Sequence, residues 1–280
     1  MSSFFKGRTL TIATMHQKEL VLAPILEKSL AVRCIVPSEM DTDQFGTFSG
    51  EIPRNKSIID TARAKCDFAF SHFGCDLVVA SEGTFGPHPA APLASSDHEF
   101  LLLKDYTHGI EITGSTLSFN TNFHQKTLSN SDELLRFAAT VGFPSHGVIL
   151  RAPHDRSIIC KGIRDEKVLL ECFTQLMQSA ESVSVETDMR ANYNPTRLSV
   201  IAEAANELVK NAHSLCPSCQ TPGFSVQASE AGLPCRRCAE PTRSPLKNIF
   251  ECRQCAFRAE KLYPNEKEFE DPMYCDLCNP

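Results

Sequence analysis

The sequence predicts an α/β protein: a mixed sheet with helices on both faces, followed by a small C-terminal zinc-ribbon module. Three observations carry that expectation. Short apolar runs of strand length alternate with amphipathic helical patterns as far as residue 213. Hydrophobic residues make up 42% of the 280, enough to bury a core. Eight of the thirteen cysteines follow residue 215, arranged as four Cys-x-x-Cys pairs.

Residues 8–14 read as the first strand. A helical pattern follows through Leu30, with Pro24 set to kink or interrupt it. Ala31–Val36 is the next strand. Ser57 opens a helix, with Asp60 three residues on as a capping-box variant. Ile58, Ile59, Ala62, Cys66, Ala69, Phe70 and Phe73 recur there at helical spacing. Asp76–Ala80 reads as a buried central strand. Residues 83–97, rich in Gly and Pro, read as the longest irregular loop, and long ordered loops are often functional. Strands over 99–104 and 110–115 come next, then a short helix over 131–141. Strands over 146–152 and 157–161, a helix over 165–179 and a strand over 182–186 follow. Asn194 caps the last helix, with Pro195 at its first position, where a missing N–H costs nothing.

The domain boundary falls near residue 213: 1–213 form the α/β domain and 214–280 a tandem zinc-ribbon module. The pairs are Cys216/Cys219, Cys235/Cys238, Cys252/Cys255 and Cys275/Cys278. Two intervening residues turn both sulfurs of a pair toward one ion, and two pairs complete a four-thiolate site. Eight cysteines therefore imply two structural zinc ions. Gaps of 15 and 19 residues make sequential pairing the simplest, first with second and third with fourth. Crossed and nested pairings stay open, since Cys238 and Cys252 are only 13 residues apart. A disulfide scaffold or a thioredoxin-like redox pair fits this pattern less well. The other five cysteines have no regular spacing and read as small buried hydrophobes.

Charge narrows the function classes. The net charge of −6 offers no global basic field for nucleic acid. Residues 216–280 carry eight Lys/Arg against nine Asp/Glu. Eight thiolates and two divalent ions take that module to a net −5, a poor phosphate binder unless Arg236, Arg237 and Arg243 cluster. A structural or protein-contact role for the module is favoured over nucleic acid. No run approaches the ~20 apolar residues of a membrane helix, and no signal-peptide pattern opens the chain. A cytoplasmic protein is expected.

In α/β sheets, ligands gather beyond the carboxyl ends of strands. The polar residues expected there form four clusters. They are His16–Glu19 with Lys18; a loop with Asp41, Asp43, Gln44, Glu51 and Arg54; Ser81-Glu82-Gly83; and Asp188–Asn194 with Arg190, running into a helix that carries Arg197. Each has a plain reading: a solvated helix start, a polar loop, or Arg190 and Arg197 paired with Glu186 or Asp188. Taken at one edge of one sheet, carboxylates with a Lys and two Arg are the parts of a magnesium–phosphate site. Glu82 stands out, because a carboxylate directly after an apolar strand is costly unless a cation or hydrogen bonds receive it.

Ala13-Thr14-Met15-His16-Gln17-Lys18-Glu19-Leu20 resembles the opening strand–turn–helix of the inosine triphosphate pyrophosphatase-like fold. Gly50-Glu51, Ala62–Lys65 and Leu77–Gly83 are similar in order and spacing to that fold's metal-binding glutamate, second helix and acid-bearing strand end. The resemblance covers residues 8–90. It implies a lysine, here Lys18, that meets a triphosphate. Over its full length the chain also resembles an uncharacterised bacterial family that carries only a domain-of-unknown-function label. That likeness rests on Asp43–Phe48, Ala80–Pro89, Glu186–Ala191, Asn194–Arg197 and the closing Cys275–Pro280.

The residues point to a magnesium-dependent hydrolase of a nucleotide or other phosphate ester. Lys18, Arg190 and Arg197 would hold phosphate oxygens. Glu82, with Glu51 or Asp43, would hold the metal and orient water. Asp188 is a candidate base or second metal ligand, and His146 a candidate general acid. The alternative is a non-catalytic nucleotide- or RNA-binding protein whose zinc module docks a protein partner.

Overall fold

The computed structural model describes residues 4–46, 56–89, 91–152 and 159–280. The chain divides into two compact units. The larger holds Phe5–Thr107 and Thr113–Val209. The smaller is built on Lys210–Pro280, with His108–Ile112.

The first sheet begins with β1 (Thr9–Ala13), crosses through α1 (Glu19–Leu30) and returns as β2 (Arg33–Ile35), parallel to β1. The helix runs unbroken through Pro24, one N–H short of a full ladder. It buries Leu22, Leu26 and Leu30 as one stripe. Next, α2 (Ile58–Phe73) opens as its sequence predicts, with Ser57 Oγ accepting from the Asp60 N–H at 3.1 Å. Gly74 closes it in the left-handed conformation, φ 64°.

β3 (Leu77–His88) lies parallel to β1 and β4 (Ala91–Asp105) runs back antiparallel along its whole length. The expected loop at 83–97 is therefore the outer half of a long hairpin. Its Gly and Pro residues suggested a break. However, β1 pairs with β3 only as far as Ala80, so beyond that point no strand among the described residues lies on that side of β3, and a proline such as Pro87 is tolerated where no neighbouring strand needs its N–H. β5 (Ile110–Ser118) completes the order β2-β1-β3-β4-β5.

The remaining strands of the body form a second sheet rather than extending the first. β6 (Gln125–Leu128), α3 (Ser131–Thr140), β7 (Val148–Arg151), β8 (Ile159–Ile163), α4 (Glu166–Met177) and β9 (Val183–Thr187) follow in sequence. The sheet order is β6-β9-β7-β8, antiparallel throughout. Leu134, Phe137, Leu169, Phe173 and Leu176 of α3 and α4 pack with Val148, Leu150, Val183 and Val185 of the sheet. The clusters expected at one sheet edge are thus split between two sheets.

α5 (Pro195–His213) returns to the first sheet. Asn194 caps it, its Oδ1 accepting from the Arg197 N–H at 3.0 Å. At Gly114 of β5 the helix backbone comes so close that a Cβ would lie 2.3 Å from Leu208 N and 2.4 Å from Ala204 O. No helix of the described residues is long and apolar enough to cross a membrane.

The smaller unit contains an antiparallel meander of β10 (Val226–Ala231), β11 (Pro245–Glu251) and β12 (Arg258–Leu262). Phe224 packs near Phe250 and Phe257, with ring centroids 5.6 and 5.8 Å away.

Candidate functional site

Past β1 the chain turns through His16 and Gln17, both left-handed at φ 64° and 62°, a costly conformation for residues with side chains. The turn delivers Lys18 inward, only 5% exposed. Its Nζ lies 3.3 Å from the Ser81 carbonyl and 3.2 Å from Ser81 Oγ.

Side chains alternate across a strand, and this divides the polar residues. Val78, Ala80, Phe100 and Leu102 share a core with Ala62, Cys66 and Ala69 of α2. Glu82 keeps their parity, and its carboxylate pairs with Lys65 of α2. Ser81, Gly83 and Phe85 face the other way. Opposite Gly83 and Phe85 on β4 stand Glu99 and Asp97. Arg197, from the first turn of α5, enters this second face. Its Nε donates to Glu99 Oε1 at 2.6 Å, another nitrogen donates to the Met189 carbonyl, and the guanidinium lies 5.1 Å from the Phe85 ring centroid. Gly83 makes room: a Cβ there would be 2.5 Å from Glu99 Oε1 and 2.6 Å from an Arg197 nitrogen.

Lys18, Asp97, Glu99 and Arg197 are all buried. Burial first, and the Arg197 charge second, pull the Lys18 ammonium down to about 7. Burial and then the Glu99 carboxylate push the Asp97 carboxyl up to about 8. A base and an acid displaced toward each other in one buried place are the conditions that acid–base sites use.

Of the residues expected to act together, Lys18 and Arg197 share this cluster. Glu82 sits with Lys65 on the opposite face of the sheet. Asp188 and Arg190 form a closed pair: Arg190 Nε and Nη2 donate to the two carboxylate oxygens at 3.0 and 2.6 Å, and the Gly162 N–H adds a third bond at 3.1 Å. Arg190 also lies 4.4 Å from the Tyr193 ring centroid. This is the plain ion-pair reading of those two residues. Arg197 instead pairs with Glu99, and Glu186 with Arg151. His146 Nε2 accepts from the Thr196 N–H at 3.3 Å and meets Thr196 Oγ1 at 2.9 Å. It therefore works as a second cap for α5. Glu51 and the Asp43 side chain lie outside the described residues. Asp97 and Glu99 escaped the sequence reading. Their signal was two acids two positions apart, leading directly into Phe100-Leu101-Leu102-Leu103.

In the smaller unit the eight cysteines form two groups, Cys216/Cys219/Cys252/Cys255 and Cys235/Cys238/Cys275/Cys278. The pairing is crossed, not sequential. The meander explains it. Val226 at the start of β10 pairs with Phe250 at the end of β11. The pair before β10 therefore meets the pair in the β11–β12 turn. At the other end, Ala231 pairs with Pro245, and a parallel bridge from Cys235 to Glu270 brings in the last segment. Three of the turns repeat one geometry. Gln220, Ala239 and Ala256 are left-handed, and their N–H groups bond the carbonyls of Cys216, Cys235 and Cys252.

Sulfur–sulfur distances are 3.6 Å for Cys216–Cys255, Cys219–Cys252 and Cys238–Cys275, and 3.9 Å for Cys235–Cys278. A four-thiolate tetrahedron with metal–sulfur bonds of ~2.3 Å has edges of about 3.8 Å. Each group can thus hold a metal ion. Hydrogen bonding to Thr221 draws the Cys219 thiol down to about 6, and bonding to the Cys238 backbone draws Cys235 to about 7.

The model of a family described as Domain of unknown function (DUF6671) matches residues 65–280. The chain belongs to that family. The match takes in Glu82, Asp97, Glu99, Arg197 and all eight ligand cysteines, while Lys18 precedes it. No curated protein matches the chain.

Proposed function

We propose that the protein is a magnesium-dependent hydrolase of nucleotides or related phosphate esters, and that its two four-cysteine groups hold structural zinc. The observation that carries the reading is the buried assembly of Lys18 and Arg197 with Asp97 and Glu99, beyond the carboxyl end of β1 and along the middle of the β3–β4 hairpin.

Two buried cations are suited to phosphate oxygens, because charge–charge attraction strengthens where water is excluded. Lys18 also stands at the start of α1, where backbone N–H groups and the helix dipole favour an anion. The carboxylates of Asp97 and Glu99 gathered beside these cations suit a hard divalent ion, which takes oxygen donors. Bound magnesium would neutralise phosphate charge and polarise water. In the hydrolysis a water oxygen bonds to phosphorus and the bond from phosphorus to the leaving oxygen breaks. The leaving group, pyrophosphate for attack at the α-phosphorus or the nucleoside diphosphate for attack at the γ-phosphorus, carries off the electron pair, and the water's proton passes to a carboxylate. The likeness of residues 8–90 to inosine triphosphate pyrophosphatase-like proteins favours nucleoside triphosphates, with pyrophosphate leaving. Four thiolates per ion leave no open position in the cysteine groups, so zinc there would hold structure.

The test is a panel of standard and damaged nucleoside triphosphates with zinc-loaded protein and magnesium, reading pyrophosphate and phosphate separately. The expected result is magnesium-dependent release that falls at least a hundredfold in Lys18→Met. No turnover on any member of the panel, or undiminished turnover in Lys18→Met, would overturn the proposal.

A further inference from the structure

The carboxyl groups of β4 hold valences that the described residues leave open. Asp97 is 0% exposed, and neither of its oxygens accepts a hydrogen bond among the described residues. Glu99 is equally buried; Oε1 takes Arg197 Nε at 2.6 Å, while Oε2 accepts nothing from them. The two residues are two apart on one strand and on one face, within hydrogen-bonding reach of each other. No N–H donor among the described residues reaches these three oxygens, and the proton that Asp97 retains beside Glu99 is the relief they have, which is an expensive arrangement for a dry place. Where a fold needs only shape, an apolar side chain fills such a position at no such cost. By contrast, Asp188 in the same unit is buried just as deeply and has donors on both oxygens.

We propose that Asp97 and Glu99 bind a divalent cation of the magnesium or manganese class, through the Asp97 carboxylate and Glu99 Oε2. The inference rests on the hydrolase reading for its purpose, since such an ion would bridge the carboxylates to the phosphate oxygens held by Lys18 and Arg197. Magnesium commonly uses only one or two protein carboxylates and fills its remaining positions with water and phosphate. All-oxygen donors select this class over zinc, which the thiolate groups favour. The Arg197 Nε bond falls on Oε1 of Glu99, and Oε2 takes no hydrogen bond among the described residues, so the pair that anchors α5 and the proposed ion use different oxygens. Glu82, the carboxylate that the sequence singles out, is engaged by Lys65 on the other face of the sheet.

The test is manganese binding to zinc-loaded full-length protein at mildly alkaline pH, counted by electron paramagnetic resonance without nucleotide. Wild type is expected to bind one equivalent. Asp97→Asn keeps the volume and removes only the charge, so the fold should survive, which a thermal melt checks. It is expected to weaken binding by at least about tenfold, and Glu82→Gln to leave it unchanged. No bound manganese in wild type, or full binding in folded Asp97→Asn, would overturn the inference. The two proposals fail separately. Turnover with no Asp97-dependent manganese sinks the cation site and keeps the hydrolase. Asp97-dependent manganese with no turnover on the panel keeps the site and sinks the hydrolase.

Discussion

The two four-cysteine groups and the cluster around Arg197 are both sets of polar side chains gathered by a sheet, but they end differently. Each cysteine group closes on itself, with four sulfurs at tetrahedral spacing and turns that bond their own carbonyls. In the cluster around Arg197, one ion pair is complete and three carboxyl oxygens beside it have no N–H donor among the described residues. A closed set holds a fold together. A set with valences left over has something to offer a ligand. On the proposed function, that difference, rather than the number of charged residues, separates a structural centre from a reactive one.

The largest effects should come from the closed set. Crossed pairing predicts that Cys216→Ser with Cys252→Ser removes one metal equivalent and leaves the other. Cys216→Ser with Cys235→Ser should remove both and unfold the smaller unit, since structural zinc contributes about 10–16 kcal/mol in small metal-folded domains. Sequential pairing predicts the opposite stoichiometries, and metal analysis of the purified variants decides.

In the body, Glu99→Ala leaves the buried Arg197 guanidinium without its carboxylate. A loss of about 3–5 kcal/mol in chemical denaturation is expected. If the loss is negligible, the ion pair is not the anchor described. Gly114→Ala forces a Cβ into the backbone of α5 and should cost about 1–3 kcal/mol, read the same way.

A subtler test uses pH. Asp97 keeps its proton to about pH 8 when folded and only to about 4 when unfolded. The unfolded chain therefore binds fewer protons across that window, and the wild type loses stability as pH rises through it. Asp97→Asn removes the loss. Without added divalent ion, its melting temperature should match the wild type near pH 4 and exceed it increasingly up to pH 8. Parallel melting curves would show that Asp97 is not held protonated. At the small end, Arg243→Ala breaks only an exposed pair with Asp276 and should leave the melt unchanged.

The features legible in the sequence are those set by neighbouring residues. Ser57 with Asp60, Asn194 with Pro195 and the Cys-x-x-Cys turns are local chemistry, and the structure places each where its pattern predicts. What depends on distant pairing was hidden. The cysteine pairing follows from the register of β10 on β11, which no spacing reveals. Gln125–Leu128, with a single buried residue, lacks the alternation that marks a strand, so β6 was not visible. The hairpin outside β1 was masked by its own Pro and Gly, and Asp97 was hidden with it. Glu82 was conspicuous because it follows an apolar run. Its side could not be told, because the strand continues to His88 and parity places Glu82 against α2.

The most direct measurement is the initial rate of nucleoside triphosphate hydrolysis as magnesium is titrated into the protein, with zinc content determined in the same samples. The account predicts a rate that rises from baseline to saturation with magnesium while zinc stays constant at two equivalents. A rate that follows zinc content, or one that does not respond to magnesium, would contradict it.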